Sequence, residues 1–242
     1  MGKALVLSSG GVDSTTVLSM ALQDHKPEDV VTLSVFYGQR HDKELECAKK
    51  VADYYKVKHY EVDLSAVYQF SRSSLMANSK EEIPEESYDD ELKLVHNQGK
   101  KIISTVIPFR NGVLLSCVTA LAMSIFPEQE VDVYYGAHLG DAEGNSYADC
   151  TVEFTDALNK AINLGSYGYV NIVAPIVNMT KADVVKEGLR LKTPYELTTS
   201  CYNGREKACG VCPTCRQRLE AFKINGVEDP IEYEDNSVKE LN

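Results

Sequence analysis

No run of 18 apolar residues occurs in the 242-residue chain, so no segment has the length to cross a bilayer as a helix. No secretory leader is expected either, because Met1-Gly2-Lys3 opens straight into the apolar Ala4-Leu5-Val6-Leu7. Low-complexity tracts and internal repeats are absent. Basic residues are in short supply, 25 against 36 acidic ones, and the net charge of −11 argues against a direct nucleic-acid partner. Much of the excess acidity lies in two stretches, 80–93 and 226–242, expected to be solvated, which leaves the remainder close to neutral. No convincing Ser-His-Asp or Cys-His set is present, so a protein nucleophile is not expected. The Gly-x-x-x-x-Gly-Lys-Ser/Thr spacing of the ordinary P-loop is lacking as well. Seven cysteines without a leader point to a reducing compartment, and so to metal or thiol chemistry rather than disulfides. A cytoplasmic protein is expected.

What the chain does have is organised around Ser9-Gly10-Gly11-Val12-Asp13-Ser14. Ala4–Leu7 reads as a short strand buried on both faces, the kind found inside a parallel sheet. Two glycines then let the backbone turn sharply and approach a ligand closely. Thr15 to Gln23 follows with Val17, Leu18, Ala21 and Leu22 on one helical face. A strand, a glycine turn and a helix N-terminus together cradle phosphate, because free N–H groups and the helix dipole converge there. Gly-Gly with Asp13 or Ser14 as a mere helix cap is the bland alternative. The full string looks instead like the pyrophosphate-binding loop of ATPases that cleave between the α and β phosphates and adenylate a substrate. The nucleotide-binding stretch is therefore read as Ser8, Ser9, Gly10, Gly11, Val12, Asp13, Ser14, Thr15, Thr16, Val17 and Leu18.

A second buried strand, Val30 to Phe36, ends in Tyr37-Gly38-Gln39-Arg40-His41. In an open parallel sheet, ligands bind outside the carboxyl ends of the strands, so this string is expected beside the glycine loop. Arg40 has the planar fork to hold a phosphate or carboxylate. A helix striped by Leu45, Ala48, Val51, Ala52 and Tyr55 comes next, then a third strand over 57–64. From about 65 to 104 the pattern dissolves into a polar excursion. Arg110-Asn111 opens a clear helix, with Asn111 as its expected N-cap and Arg110 placed to bind an anion at the helix mouth. The strand over 131–136 leads into a polar loop from His138 to Cys150, whose length and place suit substrate recognition. A helix, a last strand over 172–176 and a helix opened by Thr180 complete the pattern, with Asp183 in the position of a capping box.

Cys201, Cys209, Cys212 and Cys215 place four thiols within fifteen residues. Four thiolates so spaced can close around Zn²⁺ as a tetrahedron, and a closed Cys₄ shell is structural because no coordination position stays open. An iron–sulfur cluster uses the same ligands.

The loop, Tyr37–His41, Arg110-Asn111, the 147–150 string and the cysteine cluster occur in an order that resembles the 7-cyano-7-deazaguanine synthase family of the queuosine pathway. The resemblance runs from about Lys3 to Ile224 and is most specific at 36–41 and 200–204. Phe109 stands where that family often has glycine, and Ala148 where it often has proline. The resemblance implies an α/β fold, a Rossmann-like parallel sheet of the adenine nucleotide alpha hydrolase (HUP) type with a small C-terminal Cys₄ zinc-binding segment. It implies an ATPase domain over 1–199, the Cys₄ segment and its helix over 200–225, and an acidic tail over 226–242. It implies a ligase that forms C–N bonds, turning 7-carboxy-7-deazaguanine and ammonia into a nitrile through an adenylated carboxylate, an amide and an adenylated amide. ATP, Mg²⁺ and Zn²⁺ are the implied cofactors, and a homodimer the implied assembly. Asp13, Arg40 and Arg110 are the candidate catalytic residues; Gln39, Arg110, Asn111, Asp141, Tyr147 and Asp149 are the candidate substrate contacts. An enzyme stopping at the amide, a tRNA-thiolating ATPase of the same fold using Cys150, and a zinc-knuckle binding module stay open as alternatives.

Overall fold

The computed structural model describes residues 2–85, 88–100, 102–142 and 147–235. Five parallel strands form one sheet in the order β3-β2-β1-β4-β5: β1 Lys3–Leu7, β2 Val30–Phe36, β3 Lys58–Asp63, β4 Val131–Tyr134 and β5 Val170–Val173. The alternation of β1 divides the core. Ala4 and Val6 pack against α1 (Val12–Asp24), α2 (Lys43–Tyr55), α7 (Lys181–Leu191) and α8 (Pro213–Ile224). Leu5 faces the opposite layer, where Leu115, Val118 and Ala122 of α4 (Arg110–Ile125) and Ile162 of α6 (Val152–Gly165) are buried. Burial on both faces is why Ala4–Val6 of β1 reads as a continuous apolar run. Among the described residues no helix is long and apolar enough to cross a membrane.

The chain leaves β1 toward β2 on one side, and later returns to pair β4 with β1 on the other. Strand order therefore reverses at β1, and a crevice opens at the carboxyl ends beside it. Helices that follow parallel strands begin at that same edge. The N-termini of α1, α2, α4 and α7 accordingly gather around the crevice, each bringing its partial positive charge.

Three local expectations change. The first helix begins at Val12, with Gly11 as its N-cap, rather than at Thr15. Asn111 is not the cap of α4; Phe109 holds that place with φ +52°, and Asn111 is already inside the first turn. A left-handed backbone is costly for a residue with a Cβ, which accounts for the glycine often found at this position in the resembled family. Here the Phe109 ring folds over Gly112, where a Cβ would collide with it, and meets Phe154 edge-on at 5.8 Å. The third change concerns the two acidic stretches, which are not simply solvated. Within the excursion, α3 (Tyr88–Asn97) carries a buried Glu91 that accepts bonds from the backbone N–H and hydroxyl of Ser104 at 2.8 and 2.7 Å. Near the C-terminus, Asp229 is buried against Arg218, which donates from Nε at 2.6 Å and from Nη2 at 2.9 Å. Thr180, by contrast, forms the expected capping box with Asp183.

Candidate active site

A cavity of about 240 Å³ occupies the crevice. Its floor is the loop after β1, represented by Ser8, Ser9, Gly11, Val12, Asp13 and Ser14. The loop is self-supporting: Ser9 N–H donates to Ser14 Oγ at 3.1 Å, and Gly11 N–H to Ser9 Oγ at 3.3 Å. The next three N–H groups precede Thr15, whose N–H makes the first intrahelical bond, to Gly11 O at 3.1 Å, and they need a partner from outside the helix. Gly10 turns with φ +75°, and a Cβ there would stand 2.5 Å from Ala48 N. That absence of a side chain lets the loop lie on the first turns of α2. Gly10 itself does not line the cavity. Thr15, Thr16, Val17 and Leu18 do not either; they are buried inside α1, with Thr16 Oγ1 bonded to the Tyr195 hydroxyl at 2.7 Å. The nucleotide stretch thus reaches the cavity only through its first half.

Asp13 lines the cavity, and both of its oxygens receive Lys181 Nζ, at 2.8 and 2.6 Å. The His138 ring nitrogen stands 3.9 Å from the same carboxylate. Lys181, the first residue of α7, also lines the cavity and was not singled out from the sequence. The available signal was its place, at the start of a helix that follows the last strand.

Arg110 is half-buried and lines the cavity, with the Tyr37 ring 5.9 Å away. Burial works against its charge, yet Tyr37, Cys150, Asp149 and Tyr202 around it hold the guanidinium above its ordinary range. Burial likewise pushes the Tyr37 hydroxyl up to about 12. Asn111 lines the cavity beside it. Its backbone N–H donates to Asp149 Oδ2 at 2.8 Å, and its amide reaches Asp149 O and Cys150 Sγ, each at 3.2 Å. Asp149 therefore caps α4 from a distant loop and does not itself line the cavity. Tyr147 bonds Thr105 Oγ1 at 2.7 Å, also away from the lining. Asp141 falls in the short helix α5 (Leu139–Ala142), and its side chain lies outside the described residues.

Gln39 lines the cavity while accepting from Tyr37 N–H at 2.8 Å. Arg40 does not. Its side chain is exposed and donates to the carbonyls of Ser79 and Glu81, because successive residues after β2 point to opposite sides. The polar excursion returns here: Arg40 N–H donates to Leu75 O at 3.0 Å and Ala77 N–H to Gly38 O at 2.9 Å, which brings Leu75 into the wall. Glu44, from the first turn of α2, completes this side. Burial pushes its carboxyl up to about 7, with Arg110 opposing the shift. The sequence reading passed over Glu44.

The four cysteines come together as expected, buried, with all four Sγ atoms within 4.8 Å of one another. Metal–sulfur bonds of about 2.3 Å in a tetrahedron would set sulfurs about 3.8 Å apart, so the cluster is of the right size. Backbone N–H groups of Cys209 and Cys212 each reach a cysteine sulfur at 3.4 Å, the kind of support thiolates receive. The cluster lies outside the cavity, but the segment around it does not: Ser200, Tyr202, Thr214 and Gln217 form a wall.

Comparison with known proteins shows which family the chain resembles. A family model described as queuosine biosynthesis protein QueC matches residues 3–226. The 7-cyano-7-deazaguanine synthase of Marinomonas sp. (strain MWYL1) is 44% identical over 96% of this chain and 98% of its own length. Its counterpart in Caldicellulosiruptor saccharolyticus is 44% identical over 96% of each chain. That of Archaeoglobus fulgidus is 41% identical over 95% of this chain and 89% of its own.

Proposed function

The chain belongs to the queuosine biosynthesis protein QueC family, and we propose that it works as a 7-cyano-7-deazaguanine synthase, joining 7-carboxy-7-deazaguanine and ammonia at the expense of ATP. One observation carries the chemistry: the phosphate-type loop and Arg110 open into the same cavity. A carboxylate resists attack by ammonia, so one of its oxygens must first become a leaving group. Adenylation does this, with the pyrophosphate held by the N–H groups of Val12, Asp13 and Ser14 and by the α1 dipole. Arg110 holds the substrate carboxylate against the α phosphate. Ammonia displaces AMP to give an amide; a second ATP activates the amide oxygen, and loss of AMP leaves the nitrile.

With phosphates bound, Lys181 would pair with them, and Asp13 would be left to hold the Mg²⁺ that arrives with ATP. Cys201, Cys209, Cys212 and Cys215 would hold Zn²⁺ as a closed shell, which supplies folding energy to the wall they support. A homodimer, a cytoplasmic location and the lack of a nucleic-acid partner complete the reading. Mass spectrometry of the product from 7-carboxy-7-deazaguanine, ATP and ammonium tests it. The nitrile, with AMP and pyrophosphate, is the expected outcome; an amide end product or ADP as the main nucleotide would overturn it.

A further inference from the structure

Glu44 stands out among the cavity's side chains. Three of its neighbours there are engaged: Asp13 with Lys181, Gln39 with the Tyr37 backbone, Asn111 with Asp149. Ser8 Oγ and His41 Nδ1, which belong to the same lining, have no hydrogen-bond partner among the described residues, so what sets Glu44 apart is that it is an unengaged carboxylate. Among the described residues, no hydrogen bond or ion pair reaches the Glu44 carboxylate, although it lines the cavity. Its position is fixed from below. The backbone carbonyl of Glu44 abuts Gly10, where a Cβ could not fit, so this turn of α2 lies against the phosphate loop, and Glu44 lines the same cavity as that loop. From α4, Arg110 lies within electrostatic reach.

A carboxylate in such a place asks for a cationic or hydrogen-donating ligand. The partners proposed above for the cavity are anionic, the phosphates and the substrate carboxylate that Arg110 receives. The nucleophile is different. At neutral pH it arrives as ammonium, a cation with no lone pair to donate, and must lose a proton within reach of the activated carboxyl carbon. On the reading of the cavity given above, we propose that Glu44 receives ammonium and takes its proton, releasing ammonia beside the acyl adenylate.

The step balances. One N–H bond breaks as an O–H bond forms on Glu44, and the freed nitrogen pair forms the C–N bond. The C–O bond to AMP then breaks with its electrons on the phosphate, and the nitrogen sheds one further proton to solvent. Glu44 returns its own proton to solvent before the next turnover. Placing a carboxylate and a guanidinium together sorts the two reactants by charge, the acid to Arg110 and the nucleophile's precursor to Glu44. Burial that holds the Glu44 carboxyl near 7 brings its basicity closer to that of the group it must deprotonate. The titratable groups facing the same space are Arg110 from α4, Tyr37 and His41 after β2, Tyr135 after β4, Tyr202 from the cysteine segment, Asp13, Lys181 and Cys150; Cys47 lies one turn along α2.

The test is Glu44→Gln in the full chain, with ammonium chloride as the nucleophile source. At pH 7 the variant is expected to lose about 100-fold in kcat/KM for ammonium. Its KM for 7-carboxy-7-deazaguanine should stay put, and it should still release pyrophosphate from ATP and that substrate when ammonium is withheld. That half-reaction also reports that the variant is folded. The deficit should shrink as pH rises toward the ammonium value of about 9, where free ammonia no longer needs a base. In the unmutated protein, ammonium-dependent turnover should climb through pH 7 as Glu44 loses its proton. Unchanged ammonium dependence overturns the inference. So does a raised KM for the deazaguanine alone, which would make Glu44 a contact to the base. If the unmutated protein forms no nitrile, the functional reading fails and this inference with it.

Discussion

Two walls of one cavity are built on different principles. The loop after β1 is a backbone device: its donors are main-chain N–H groups, its shape comes from Gly10 and Gly11, and sheet and helix hold it on either side. The wall from Ser200 to Gln217 is a side-chain device, fixed by four thiols at one end and by a buried charge at the other. Arg218 donates to Asp229, to Thr198 Oγ1 at 2.8 Å and to Tyr195 O at 3.2 Å. Tyr233 adds its hydroxyl to Asp229 at 2.7 Å. A backbone site comes with the fold, whereas this wall stands only while its side chains are satisfied. The difference places fragility in the second region and chemistry in the first.

The sharpest way to break that contrast is Cys212→Ser. An incomplete shell should cost metal content, roughly 10 °C of melting temperature and most activity together. Elemental analysis beside a thermal melt and a turnover assay checks this; a metal-free protein with unchanged melting and activity would show the wall to be self-standing. Arg110→Ala probes the other principle. It removes a charge aimed into the cavity and leaves α4 capped by Asp149, so turnover should fall about 100-fold while the melting temperature moves by less than about 4 °C. Equal losses in both measurements would make Arg110 a structural residue. Arg40→Ala is the smallest expected effect, with turnover within about twofold of the parent, since its exposed guanidinium serves only carbonyls of the excursion. A large loss would return Arg40 to the catalytic set.

How far the sequence could be read follows from how local each determinant is. The β1 loop was legible because strand, glycines and helix are contiguous and each speaks for its own conformation. The cysteine cluster was legible because its spacing alone brings four thiols close enough to share one metal ion. Arg40 was misplaced because Gln39 and Arg40 look equally good in a string, and only the strand's alternation decides which faces the cavity. Thr15 to Leu18 were drawn into the nucleotide stretch by adjacency, although their helix turns them into the core. Glu44 and Lys181 were missed for the opposite reason: each is an ordinary first-turn residue until the sheet order brings its helix to the crevice. Leu75 sits in a stretch without periodicity, and its burial depends on pairing with Gly38–Arg40 that no local pattern announces.

The central position of β1 has a further consequence, for the order in which the molecule can be completed. Its Leu5 pairs with Val31 on one side and with Val133 on the other. The first partner follows within a short helix's length of chain, but the second is separated by the whole excursion and α4. At ribosomal rates the interval between synthesis of β1 and of β4 is roughly 6 to 25 s. For that time the central strand of the sheet carries an unpaired edge, and the nascent chain's exposure to aggregation depends on how long β1 waits for β4.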